Sequence, residues 1–316
     1  MFREQEYLQR FSVFFRNADF SSSYKPVFLK TITDIADYGD AKLIGGEWLS
    51  KKDDKLVVEL DFLAARYAKY YWDMYYKFRL RQSHNPSDVN IHKFFKDSEQ
   101  NPLKPPTLAD LADEAHKELR SNVNRRSIKP EVLTKLNKDL GLYEIIKGKN
   151  YIVFDFGIVV FLAKYRGILV PATDYVLTRY LEKINSAPRI AEKIRGITPR
   201  DHLTAMEKTK LLEFHDYICF YCGNRPADRH HFDYVIPFDY IFQTDVFNSV
   251  PACMRCNLAK SNRLPSREIF DRVLKRNQEM TGMLKDYSPE WYQNLYQKCL
   301  VEYHGNREFF SMTDSN

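Results

Sequence analysis

The chain has 316 residues, 44% of them hydrophobic and 28% charged, the balance of a soluble globular protein with room for two or three cores. No run of about 18 apolar residues and no secretory leader at Met1–Glu6 is visible, so neither a membrane span nor export is expected and the predicted location is the reducing cytoplasm. A net charge of +6 suits a polyanionic partner without requiring one.

Residues 1–20 read as a helix with Leu8, Phe11, Phe14 and Phe15 on one side. Ser21–Ser23 offer a cap for a second helix, with Pro26 in its first turn and Phe28, Ile32, Ile35 and Ala36 along its apolar stripe. Leu56–Leu80 is the strongest helical stretch. It is apolar or aromatic nearly all round, with Tyr67, Tyr70, Tyr71, Trp72, Tyr75 and Tyr76, which means either a buried helix or a platform for stacked bases. Residues 82–106, with several prolines and scattered polar side chains, read as a linker or loop.

Thr107 caps a helix striped by Leu108, Leu111, Ala112, Ala115 and Leu119, and a second helix has Pro130 at its start and Gly141 just past its end. Two strands follow, 142–146 and 151–154, joined by Lys147-Gly148-Lys149-Asn150. Two helices and a basic-tipped hairpin fit a winged helix, or else a plain α+β packing unit. Residues 156–184 read as helical, broken at Gly167 and Pro171. The mixed charges between Arg179 and Lys210 are either a face toward phosphates or a solvated linker, with a hinge at Ile197-Thr198-Pro199. A helix from Glu207 to His215 leads into the next segment, where His215 is a weak candidate for holding a phosphate. Beyond Pro265, Ser266 caps one helix, and Ser288-Pro289 starts another that buries Trp291, Leu295 and Leu300.

Four of the five cysteines lie between these last two regions, as Cys219-x-x-Cys222 and Cys253-x-x-Cys256. Two such pairs give the four thiolates of a tetrahedral structural zinc, a shell with no open position for chemistry. Between them His231-Phe232-Asp233-Tyr234-Val235-Ile236-Pro237 alternates as a half-buried strand does, so His231 and Asp233 share a face. Phe247–Pro251 supplies a returning strand. A helix begins at Cys256, and Asn257 and Lys260 share one of its faces.

The segment resembles the HNH endonucleases of the ββα-metal fold. Their pattern H-x-D-H-v-I-P is met by His231-x-Asp233-Tyr234-Val235-Ile236-Pro237. The pattern N-l-v-p-a-C-x-x-C-N-x-x-K-s-x-x-l-P is met by Asn248-Ser249-Val250-Pro251-Ala252-Cys253-x-x-Cys256-Asn257-x-x-Lys260-Ser261-x-x-Leu264-Pro265. The resemblance covers about a sixth of the chain. It implies a nuclease with one catalytic Mg2+ or Mn2+ held by Asp233 and Asn257, beside the structural Zn2+. It also implies that Asn248 braces the hairpin and that Lys260 lies near the scissile phosphate. One position departs from the pattern, because Tyr234 stands where the family has its general-base histidine. A free histidine titrates near ~6.5 and a free tyrosine near ~10, so a phenol base needs help from its surroundings. His231 and His230, a few residues back on the same strand, are the other candidate bases.

The expected architecture is α+β: a helical region 1–106, an α+β module 107–200, an HNH ββα-metal domain 201–265 and a helical tail 266–316. The expected function is hydrolysis of phosphodiester bonds in nucleic acid, DNA before RNA, of the kind found in bacterial and phage restriction or defence. Two alternatives stay open. One is a degenerate, non-cutting nucleic-acid binder marked by Tyr234. The other is an interaction subunit that docks on an ATPase or on a second copy of itself.

Overall fold

Leu56 and Val58 are buried while Lys55 is exposed, and this period of two makes Lys55–Glu59 a strand, β2, where a helix is expected to begin. The computed structural model describes residues 4–17, 23–38, 49–83, 128–196, 202–280, 282, 284, 287–303 and 309–311. The chain divides into two units, Met1–Tyr75 with Arg81–Ile184, and Tyr76–Leu80 with Asn185–Asn316. The expected helix at 107–119 and the hinge at 197–199 lie outside the described residues.

In the first unit, β1 (Leu49–Lys52) pairs with β2, β2 with β4 (Tyr151–Asp155), and β4 with β3 (Glu144–Ile145), all antiparallel. The expected hairpin is therefore half of a four-stranded sheet in the order β1-β2-β4-β3. The helices are α1 (Glu4–Arg16), α2 (Tyr24–Thr33), α3 (Leu60–Trp72), α4 (Ile128–Leu140) and α5 (Phe156–Glu182). Ser23 stands at the N-cap of α2, but its hydroxyl pairs with Tyr71 at 2.8 Å and does not cap the helix. Tyr67 and Tyr71 are buried, which makes them core residues.

α5 is one unbroken helix of 27 residues, contrary to the breaks expected at Gly167 and Pro171. Both residues are exposed, so water can take the Gly167 carbonyl that Pro171 cannot serve, while Phe161, Leu162, Val176 and Leu177 stay buried. By length and composition α5 could cross a membrane, with a window of mean hydropathy 1.4. Within the unit it packs on α2, where Asp174 and Lys30 form a buried ion pair at 2.6 Å.

The second unit holds α6 (Ile190–Arg195), α7 (Ala205–Phe214), the hairpin β5 (His231–Tyr234) and β6 (Ser249–Ala252), α8 (Phe238–Ile241) and α9 (Met254–Lys260). After them come β7 (Leu264–Pro265), α10 (Arg267–Glu279), α11 (Pro289–Glu302) and β8 (Phe309–Phe310). A capping box between Thr204 and Glu207 starts α7. The helices after Pro265 share one core with the hairpin: Phe270 of α10 stacks on Tyr296 of α11, 3.8 Å between ring centres, beside Val250 and Ile236. Trp291 is 43% exposed rather than buried, and Tyr292, one residue on and about 100° round the helix, takes the inner position.

Lys193 of α6 is buried and donates to the Tyr240 carbonyl at 2.6 Å. Burial lowers its pKa to about 7, with Asp239 opposing the shift. The unfolded chain holds that proton up to about pH 10.4. Between about pH 7 and 10 the unfolded state therefore carries the extra proton, and this residue makes the unit more stable as pH rises. Lys193→Met should raise stability at pH 6 and flatten the rise toward pH 10 in urea melts. An unchanged slope in the variant would refute the assignment.

Candidate active site

The two cysteine pairs form tight turns that aim four sulfurs at one point. Gly223, directly after Cys222, takes φ +71, and its N–H donates to the Cys219 carbonyl at 2.9 Å. Cys253 is the N-cap of α9, with its Sγ accepting from the Cys256 N–H at 3.4 Å. The four Sγ atoms lie within 4.8 Å of one another, Cys222 and Cys253 at 4.0 Å. Zinc–thiolate bonds of about 2.3 Å place tetrahedral sulfurs about 3.8 Å apart, so the donor set fits zinc. Burial pushes the Cys219 thiol up. At Cys222 burial acts the same way, but hydrogen bonds from the Asn224 backbone and the neighbouring thiols bring it down to about 7.

The hairpin stands against these turns. Its register pairs His231 with Ala252, Phe232 with Pro251, Asp233 with Val250 and Tyr234 with Ser249. The pleat puts His231 and Asp233 on one face, Phe232 and Tyr234 on the other. Asp233 is 7% exposed. Its Oδ2 accepts from the Tyr221 hydroxyl and lies 3.8 Å from the Lys260 ammonium. Burial raises the pKa of Asp233 and lowers that of Lys260, and their mutual attraction opposes both shifts.

Lys260 does not reach outward to a phosphate, as expected from the resemblance. It is fully buried, and Nζ donates to the carbonyls of Tyr234 at 3.0 Å and Ser261 at 3.4 Å. Two backbone acceptors and one carboxylate satisfy a charge that would otherwise be too costly to bury. Ser261 takes φ 42 at the end of α9, in the region that favours glycine.

Asn257 is half-buried on α9, which packs against β5. Among the described residues its carboxamide has no hydrogen-bond partner, and neither has the His231 imidazole. The elements that carry His231, Asp233 and Asn257 are thus brought together. Tyr234 is turned away: its hydroxyl pairs with Thr244 Oγ1 at 3.1 Å and its ring lies on Phe238. His230 is tied by Nε2 to the Tyr217 carbonyl at 2.9 Å. His215 sits between Phe214 and Phe220, where burial and the charges of Arg276 and Arg272 lower its pKa to about 4.

Asn248 is wholly buried and braces the hairpin. It accepts from the Ile236 N–H at 2.9 Å and from the Tyr292 hydroxyl at 2.7 Å, and it donates to the Ile236 carbonyl at 3.0 Å. These bonds, to Ile236 and Tyr292, are all made inside the core and leave none of its surface exposed. Arg276 of α10 donates to the carbonyls of Ser249 and Phe247 at 2.8 and 2.9 Å, holding the start of β6 from behind. Tyr221, Tyr292 and Arg276 escaped the sequence reading. Only Tyr221 carried a signal, its position between two cysteines of the four-sulfur cluster.

Residues 219–263 match the family model described as HNH endonuclease. The segment is an HNH-family domain with four cysteines positioned to form a zinc site. No curated protein and no solved structure matches the chain.

Proposed function

We propose that this chain, with its HNH-family domain, is a metal-dependent endonuclease that hydrolyses phosphodiester bonds in nucleic acid, DNA in preference to RNA. The carrying observation is that Asp233 and Asn257 lie on packed elements, β5 and α9, with Tyr221 of the first cysteine turn bonded to Asp233. A bound Mg2+ or Mn2+ supplies positive charge at the scissile phosphate. Asp233 and Asn257 offer it one carboxylate and one amide oxygen, the hard donors such cations take. Lys260 and Tyr221 hold the Asp233 carboxylate in place from behind. His231 is the favoured base, taking the proton of the attacking water on a ring nitrogen. It shares the face of Asp233, whereas Tyr234 is engaged with Thr244 on the other. The four-cysteine zinc stays structural. A role in restriction or defence, in the cytoplasm, completes the proposal by analogy with proteins of this plan.

The burial of Asp233 under Lys260, together with a tyrosine at the base position, favours a second reading, a nucleic-acid binder that no longer cuts. One assay separates the two. Supercoiled plasmid, single-stranded DNA and bulk RNA are incubated with protein and Mg2+ or Mn2+, and gel retardation is run beside it. Nicking or linearisation that stops on adding EDTA supports the nuclease. Retardation without cleavage on all three substrates supports the binder.

A further inference from the structure

The first zinc turn reaches the carboxylate directly through the side chain of Tyr221, the second residue between Cys219 and Cys222. We infer that Tyr221 is a positioning residue for Asp233, so that the closed zinc turn sets the geometry of the divalent-ion site. The inference rests on the reading of Asp233 as the ion's ligand.

Three observations support it. Tyr221 is wholly buried, and its ring is wedged edge-on against Phe220 and Phe310, at 5.4 and 5.0 Å between centres. The phenol therefore has little freedom to swing. The main chain beside it is fixed twice, by the cysteines on either flank and by the Phe220 N–H donating to the Pro251 carbonyl at 2.8 Å. Pro251 lies on β6, one step from the Asp233–Val250 pair. Last, the hydroxyl donates to Oδ2 of Asp233, the same oxygen that faces Lys260. With Oδ2 bonded to the Tyr221 hydroxyl and facing Lys260, a rotation that exchanges the two carboxylate oxygens has to break the Tyr221 bond. A phenylalanine would fill the same volume and leave Oδ2 held by Lys260 alone. Groups that orient a metal ligand in this way typically change metal affinity about 10–100-fold when removed.

The test is Mn2+ binding by the full chain, read from the paramagnetic resonance signal of free Mn2+, with zinc content measured on the same samples. Tyr221→Phe should keep one zinc per chain and raise the Mn2+ Kd about tenfold or more. A Kd within twofold of wild type would show that the phenol only fills the core, and loss of the zinc would show that its hydroxyl serves the cysteine turn itself; either result would overturn the inference. Asp233→Asn runs beside it. If that variant binds Mn2+ as tightly as wild type, the ion-site reading itself fails and the inference falls with it. If Asp233→Asn loses binding while Tyr221→Phe keeps it, only the role of Tyr221 is lost.

Discussion

Cys253→Ser should leave the unit formed by Tyr76–Leu80 and Asn185–Asn316 unable to hold its fold, and chelation of zinc from the native protein should do the same. The magnitudes decide this. Structural zinc contributes about 10–16 kcal/mol to folding in small four-ligand peptides, whereas a whole domain is stable by only about 5–15 kcal/mol. Removing one thiolate need not forfeit all of that to exceed what the rest of the unit supplies. Cys253 is also the N-cap of α9, but serine is itself a strong N-cap, so in Cys253→Ser the loss falls on the metal shell rather than on the start of the helix. If the open shell then lets α9 part from β5, Lys260 loses its acceptors, and a buried cation without them is strongly destabilising. Zinc per chain, circular dichroism and urea unfolding of Cys253→Ser against wild type would check this. A soluble variant that lacks zinc and melts with the wild type would refute the structural role of the metal.

The parts of this unit that were legible in the sequence are those whose cause is local. Two Cys-x-x-Cys pairs need only their own turns to converge, and His231–Tyr234 shows its pleat in four residues. The parts that were not legible depend on partners far along the chain. Lysine is rarely buried completely, and nothing near Lys260 announces that the carbonyl of Tyr234, 26 residues earlier, will receive its ammonium. Tyr292 reaches Asn248 across 44 residues, which is why the last helices read as a separate tail although they complete the hairpin's core. In the first unit, β2 was hidden because its short alternation runs straight into the apolar face of α3 at Leu60. At Trp291 and Tyr292 two large aromatics stand side by side, and only the packing of α11 decides which one turns inward.

If the nuclease reading holds, His231→Ala should cut the cleavage rate by about 10²–10⁴-fold, the usual contribution of a positioned general base. Tyr234→Phe should cost less than about tenfold. The asymmetry follows from the pleat. His231 and Asp233 project from the same face of β5, two residues apart, so an imidazole there would stand on the side of an ion held by Asp233. The Tyr234 hydroxyl lies on the opposite face and is already spent on Thr244 at 3.1 Å, with its ring against Phe238. For the phenol to act, it would have to break that bond and cross the strand. Its removal instead leaves Thr244 facing solvent on a half-exposed loop, at a stability cost of about 1 kcal/mol. Both variants would be compared with wild type on plasmid at saturating Mn2+, with zinc content confirming the fold. Free imidazole should restore part of the activity of His231→Ala. The opposite result, an inactive Tyr234→Phe and an active His231→Ala, would mean that the strand turns over when substrate binds and that the tyrosine is the base after all.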